Sequence, residues 1–75
     1  MSTPLTSAEM AKLAAAVANS NAFQMAEFAF SSESFIKFIK NLGLHVIARK
    51  ICEWISEVDW GDVWETIKDW LFPFL

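Results

Sequence analysis

Cys52 and His45 are the two side chains of this 75-residue chain whose types suit nucleophilic or metal chemistry. A thiolate beside an imidazole base would attack a carbonyl, but such a pair needs ~2.6–3.2 Å between nucleophile and base. The two lie seven residues apart in a stretch that reads as one helix. At ~1.5 Å of rise per residue that spacing separates them by ~10 Å. A Cys–His catalytic pair within the chain is therefore excluded, and Cys52 is expected to be a small buried hydrophobe, as free cysteines usually are. Neutral imidazole also binds metals, so His45 carries the weakest functional reading, a cofactor- or pigment-carrying small subunit. It is the only histidine and no attachment motif accompanies it, so no cofactor and no metal site is expected.

Asp62, Glu65 and Asp69 recur at i, i+3 and i+7. Such a row holds a cation weakly at best, because the glycine and terminal glutamate of a calcium loop are missing. A solvated helix face is the expected role. The chain has no Gly-rich phosphate loop, no Ser-His-Asp set and no zinc-helix motif. No catalytic residue is expected, and the chain reads as a non-enzyme.

The informative constellation is aromatic. Read as a helix, Trp60, Val63, Trp64, Ile67, Trp70 and Leu71 share one face, which Phe72, Phe74 and Leu75 extend. Indole has an apolar body and one N–H donor, so it suits a boundary with one dry and one wet side. Trp is also a preferred interface anchor. These residues are the expected partner- or membrane-contact face; the alternative is that they fill the core of a small bundle, since periodicity alone does not separate the two. Interfacial membrane helices usually carry Lys and Arg opposite their Trp and Phe. Here the charges are acidic, and anionic lipid would repel them at neutral pH.

The expected fold is all-α, a small helical bundle or hairpin completed by assembly, in one domain over residues 1–75. Thr6-Ser7-Ala8-Glu9 matches a capping box with Leu5 and Met10 at the staple positions, and predicts a helix over 7–18. Asn21 and Gln24 are candidate caps for a second helix over 22–30, whose Phe23, Met25, Phe28 and Phe30 point several ways and read as buried on most sides. A continuous helix over 7–30 is the alternative. Ser31–Ser34 predicts the start of a helix over 33–42, and Asn41 with Gly43 its stop. Leu44, Ile47, Ile51, Trp54 and Val58 form a seam at 3-4-3-4 spacing on a helix over 44–58. The last helix, over 60–72, starts behind Asp59 and stops at Pro73. The apolar stripes of the last three helices change phase at Gly43 and at Asp59–Gly61, so bends are expected there. No strand is predicted, because no alternating run of β-branched residues occurs.

Composition frames these readings. The chain is 55% hydrophobic with seven Phe, four Trp and no Tyr. A chain this short hides only ~60% of its unfolded surface, so some rings are expected to face a partner or lipid. The net charge of -3 argues against nucleic acid, which needs a basic footprint. Charge is unevenly placed: Lys37, Lys40, Arg49 and Lys50 lie in the middle, while Asp59, Asp62, Glu65 and Asp69 crowd the last helix. No transmembrane span is expected, because Phe35 to Val58 is interrupted by charges where ~20 apolar residues are needed. The start does not read as a secretory signal. One unpaired thiol fits a reducing, intracellular compartment.

Together these features predict a non-enzymatic helical interaction or structural subunit. It would dock into a larger assembly, or self-associate, through the Trp-rich amphipathic C-terminal helix. The runner-up is a membrane-surface-binding or membrane-active, toxin-like small protein.

Overall fold

The computed structural model describes residues 4–20 and 25–74. The protein is all-α: helices α1 (Ser7–Ala18), α2 (Met25–Phe30), α3 (Ser32–Asn41), α4 (His45–Ile55) and α5 (Trp60–Leu71) follow one another, and a 3-10 turn spans Phe72–Phe74. No strand occurs among the described residues.

Several of these boundaries have a local cause. At the start of α1 the Glu9 amide donates to Thr6 Oγ1 at 3.1 Å, and the Thr6 amide donates to Glu9 Oε1 at 2.9 Å. This reciprocal box satisfies two amides that the helix itself cannot. Leu5 is buried and Met10 packs against the core, as the staple positions require. α1 ends at Ala18, so it does not run on as one helix to residue 30. Residues 22–24 of the expected second helix, and its Asn21 and Gln24 caps, lie outside the described residues.

Ser31 caps α3 by accepting from the Ser34 amide at 3.1 Å. At the other end Gly43 takes φ 83°, a left-handed conformation that side chains resist. Its amide reaches the Lys40 carbonyl at 2.9 Å and the Leu44 amide reaches the Ile39 carbonyl at 3.0 Å. That pair of bonds is a Schellman stop, and Ile39 and Leu44 are both buried beside it.

Most expected boundaries of α3, α4 and α5 shift by one residue, and one shifts by three. α4 ends at Ile55 rather than 58, because the amides of Glu57 and Val58 both turn back to the Trp54 carbonyl. The second bend therefore falls on Ser56–Asp59, and Gly61 lies inside α5 rather than at the hinge. Asp59 precedes α5 without a side-chain capping bond. Asp62 in the first turn still faces the positive end of the helix dipole. Pro73 has no amide hydrogen to continue the helix, and the chain tightens into the 3-10 turn around it.

α3 and α4 pack together as a hairpin, while α5 lies against α1, α2 and α4. The buried stripes converge on one interior: Leu13, Ala14 and Val17 from α1, Phe28 from α2, Phe35, Ile36 and Ile39 from α3, Ile47, Ala48, Ile51 and Trp54 from α4, and Val63, Trp64, Ile67 and Leu71 from α5. No polar or charged residue among those described is buried. The surface area of 4608 Å² matches the ~4650 Å² that a compact monomer of this mass exposes. Among the described rings Phe28, Phe35, Trp54 and Trp64 are buried, while Phe30 and Phe72 are exposed.

Rings organise that interior. Phe35 meets Phe28 at 5.4 Å and Trp64 at 5.5 Å, both edge to face, and Trp60 at 5.7 Å. Phe38 lies 5.0 Å from Phe28. Edge-to-face and tilted pairs at these separations add ~0.5–1.5 kcal/mol each beyond simple burial. On the other side of the bundle Lys50 of α4 grips both carboxylate oxygens of Glu9 at 2.8 and 2.9 Å, tying it to the cap of α1. The Lys50 hydrogen bonds, with help from the Thr6 amide, hold the Glu9 carboxyl below its ordinary value.

Two outcomes follow for stability. Phe35→Ala should cost ~3–5 kcal/mol, comparable to the ~3–5 kcal/mol that a core this small supplies, so circular dichroism should show loss of helix at room temperature. A cooperative urea transition with an unchanged midpoint would count against the ring core. Because the folded-state pKa of Glu9 is lowered, its contribution is complete above the ordinary glutamate pKa of ~4.3 and fades as pH falls through the lowered value. Glu9→Gln should therefore lower the melting temperature at pH 7 and narrow the gap to wild type as pH drops toward 3; a constant gap at all pH values would refute the linkage.

Candidate functional site

The expected contact face of α5 is turned inward over most of its width. Val63 and Ile67 are fully buried, and Trp64 and Leu71 nearly so. The helix presents this stripe to α1, α2 and α4, which is where the chain finds its core. What α5 leaves to solvent is its edge. Trp60 and Trp70 are half-buried, and Phe72 is 57% exposed. The side chain of Phe74, and Leu75, lie outside the described residues.

Both half-buried indoles are held. The Trp60 ring nitrogen donates to the Phe28 carbonyl at 2.8 Å, satisfying one of the carbonyls that the short α2 leaves open at its C-terminal end. Trp70 stacks on Trp54 at 5.9 Å with the planes 21° apart. These contacts fix the two ends of α5, ~18 Å apart over its twelve residues. The α4 seam residues Leu44, Ile47, Ile51 and Trp54 are buried, and Val58 packs partly against them.

The acidic row lies on the opposite side of α5. Asp62, Glu65 and Asp69 are exposed, and Glu65 accepts from Lys68 at 3.0 Å. Among the described residues no group of His, Cys, Asp and Glu is arranged to hold a metal ion. His45 is exposed at the first turn of α4.

Two side chains depart from expectation. Cys52 is exposed, not buried. The buried stripe of α4 runs through Ile47, Ala48, Ile51 and Trp54, and one further step of ~100° carries Cys52 off its edge. Phe30 is 92% exposed, although the second helix reads as buried on most sides. α2 offers only Phe28 fully to the core, and Phe30, two positions on, points elsewhere.

Sequence reasoning also missed a surface feature. An open groove of about 320 Å³ runs between α3 and α4, with Ile36 and Ile55 along it and Lys37, Lys40, Glu33 and Cys52 around them. The signal was present in part: Glu33, Lys37 and Lys40 fall on one stripe of α3 at i, i+4 and i+7. The sequence does not show which residues of α4 stand across from that stripe. The groove brings one thiol, one carboxylate and two amines to the rim of a small apolar floor.

In dilute solution Cys52 of the folded protein should react with a thiol reagent within about tenfold of its rate in urea, as exposed thiols do. Protection by a hundredfold or more would place it inside.

No family model, no curated protein and no solved structure matches the chain.

Proposed function

We propose that this chain is a non-enzymatic helical subunit that docks through the outer edge of α5, into a larger assembly or against its own copies. The observation that carries the reading is Phe72, 57% exposed at the end of the helix that organises the core. Half-buried Trp70 lies two residues before it. Rings of this kind, dry on one side and open on the other, are the usual anchors of protein contacts. A partner seated there would also add to the free energy of folding of a chain whose own core is small. The exposed carboxylates of α5 favour a neutral or basic partner surface.

A lipid surface is the second reading, favoured by the same exposed ring beside Trp70. No helix among the described residues is long and apolar enough to cross a membrane, so contact would be in the plane of the surface. Protonating Asp62, Glu65 and Asp69 would ease that approach.

The test is native mass. In extract of the cells that make it, the chain should migrate well above its own 8.5 kDa, and Phe72→Ser should return it to the monomer position while leaving its helix signal intact. A monomer mass for the wild-type chain, both in extract and purified over a hundredfold range of concentration, would sink the docking reading. For lipid, a blue shift of Trp fluorescence on adding phosphatidylcholine vesicles, larger at pH 5 than at pH 7, is expected; no shift at either pH would remove it.

A further inference from the structure

Phe72 does not stand alone on α5. Asp62, Glu65, Asp69 and Phe72 recur at 3-4-3 spacing and all four are exposed. At ~100° per residue they form one row on the side of the helix away from the core. The row runs ~15 Å along the axis, and its successive members are neighbours, with ~5–6 Å between Cβ atoms. Among the described residues Glu65 has a cation of its own in Lys68 at 3.0 Å, and neither Asp62 nor Asp69 takes part in an ion pair.

A partner that covers the ring therefore covers carboxylates with it. A stable protein contact takes ~800 Å² from each side, wider than the row itself, so Asp69 and Glu65 fall inside any footprint centred on Phe72. A carboxylate taken out of water without a cation costs more than one ring returns. That sets aside an apolar or acidic cover. A second copy of the chain matches poorly, because its exposed Lys37 and Lys40 share their stripe of α3 with the exposed carboxylate of Glu33.

We propose that the outer face of α5 takes a basic amphipathic helix of another protein, its Lys or Arg row set against Asp62, Glu65 and Asp69 and an apolar side chain set on Phe72. The proposal rests on the docking reading above and names the partner's chemistry. A helix fits because it repeats the 3-4 spacing of α5, so that one cation meets each carboxylate in turn.

Calorimetric titration of the full chain with two synthetic helical peptides tests it, one of Leu and Lys in a 3-4 repeat and one with Glu in place of each Lys. The Lys peptide should bind and the Glu peptide should not. Asp62→Asn with Glu65→Gln and Asp69→Asn should weaken binding at least tenfold, and so should Phe72→Ser. All four side chains are exposed, so the helix signal should be unchanged. Removing the same charge elsewhere, in Glu33→Gln with Glu53→Gln and Glu57→Gln, should alter binding less than twofold. No binding of the Lys peptide, equal binding of both peptides, or equal losses from the two sets of carboxylates overturns the proposal. Native mass in extract separates it from the docking reading. A complex lost in Phe72→Ser but kept in the α5 carboxylate variant leaves docking standing and removes the basic helix, whereas a monomeric wild-type chain removes both. A purified chain that dimerises alone, and loses the dimer in Phe72→Ser, assigns the face to a second copy and overturns the proposal.

Discussion

Burial of the apolar face of α5 is the constraint on which the other elements depend. A chain of 75 residues has room for one interior. α5 supplies the surface that α1, α2 and α4 share, through Val63, Trp64, Ile67 and Leu71. Phe35 joins α3 to the same surface through Trp60 and Trp64. Remove this helix and the remaining stripes have no common partner. The direction of the aromatic face is therefore decided by competition: water and a neighbour are alternatives to the chain's own helices, and those helices are covalently close at hand.

Much of the architecture was legible because its signals are local. The capping box of Thr6 and Glu9, the Ser31 cap and the stop at Gly43 each involve residues within five positions of one another, and their bonds need no distant partner. The phase change between the stripes of the last three helices pointed to two breaks, and the chain leaves the helix between α3 and α4 and again between α4 and α5. The position of the second bend was not legible, because Glu57 and Val58 fold back on Trp54 for want of a helix stop that sequence marks clearly. The side on which α5 finds its cover is a tertiary fact. A stripe of Trp, Val and Ile reads the same whether it meets α1 or a partner. Cys52 and Phe30 were misread for a related reason: residue type gives the usual burial, but the angle to the stripe decides the individual case.

The interior is held by forces with little directional content. It contains no buried charge among the described residues, so hydrophobic burial and ring geometry do most of the work. Direction is added at the margins. The Trp60 N–H fixes the end of α2 on the start of α5, and Lys50 fixes α4 on the cap of α1. Both are contacts between elements far apart in sequence, and both sit where a ring or a carboxylate already has a local role. One side chain thus serves a helix end and a tertiary joint together, an economy suited to a chain with few residues to spare.

An exposed ring is not by itself an interface, since single apolar residues are common on monomer surfaces. What distinguishes Phe72 is what lies beside it. Phe72 follows Trp70, whose ring is pinned on Trp54 and presents a rigid, half-open face at the end of α5. A pre-positioned indole loses little freedom when a partner covers it, which is where affinity is usually forfeited. Phe30 is more exposed still, but among the described residues no ring pair holds it in place. The two rings stand toward opposite ends of α5, since Phe28 and Trp60 place the close of α2 at its start. Among the described residues Phe72 is the exposed ring that follows a stacked indole, and that pre-positioning is the physical ground for proposing the α5 edge as a docking place.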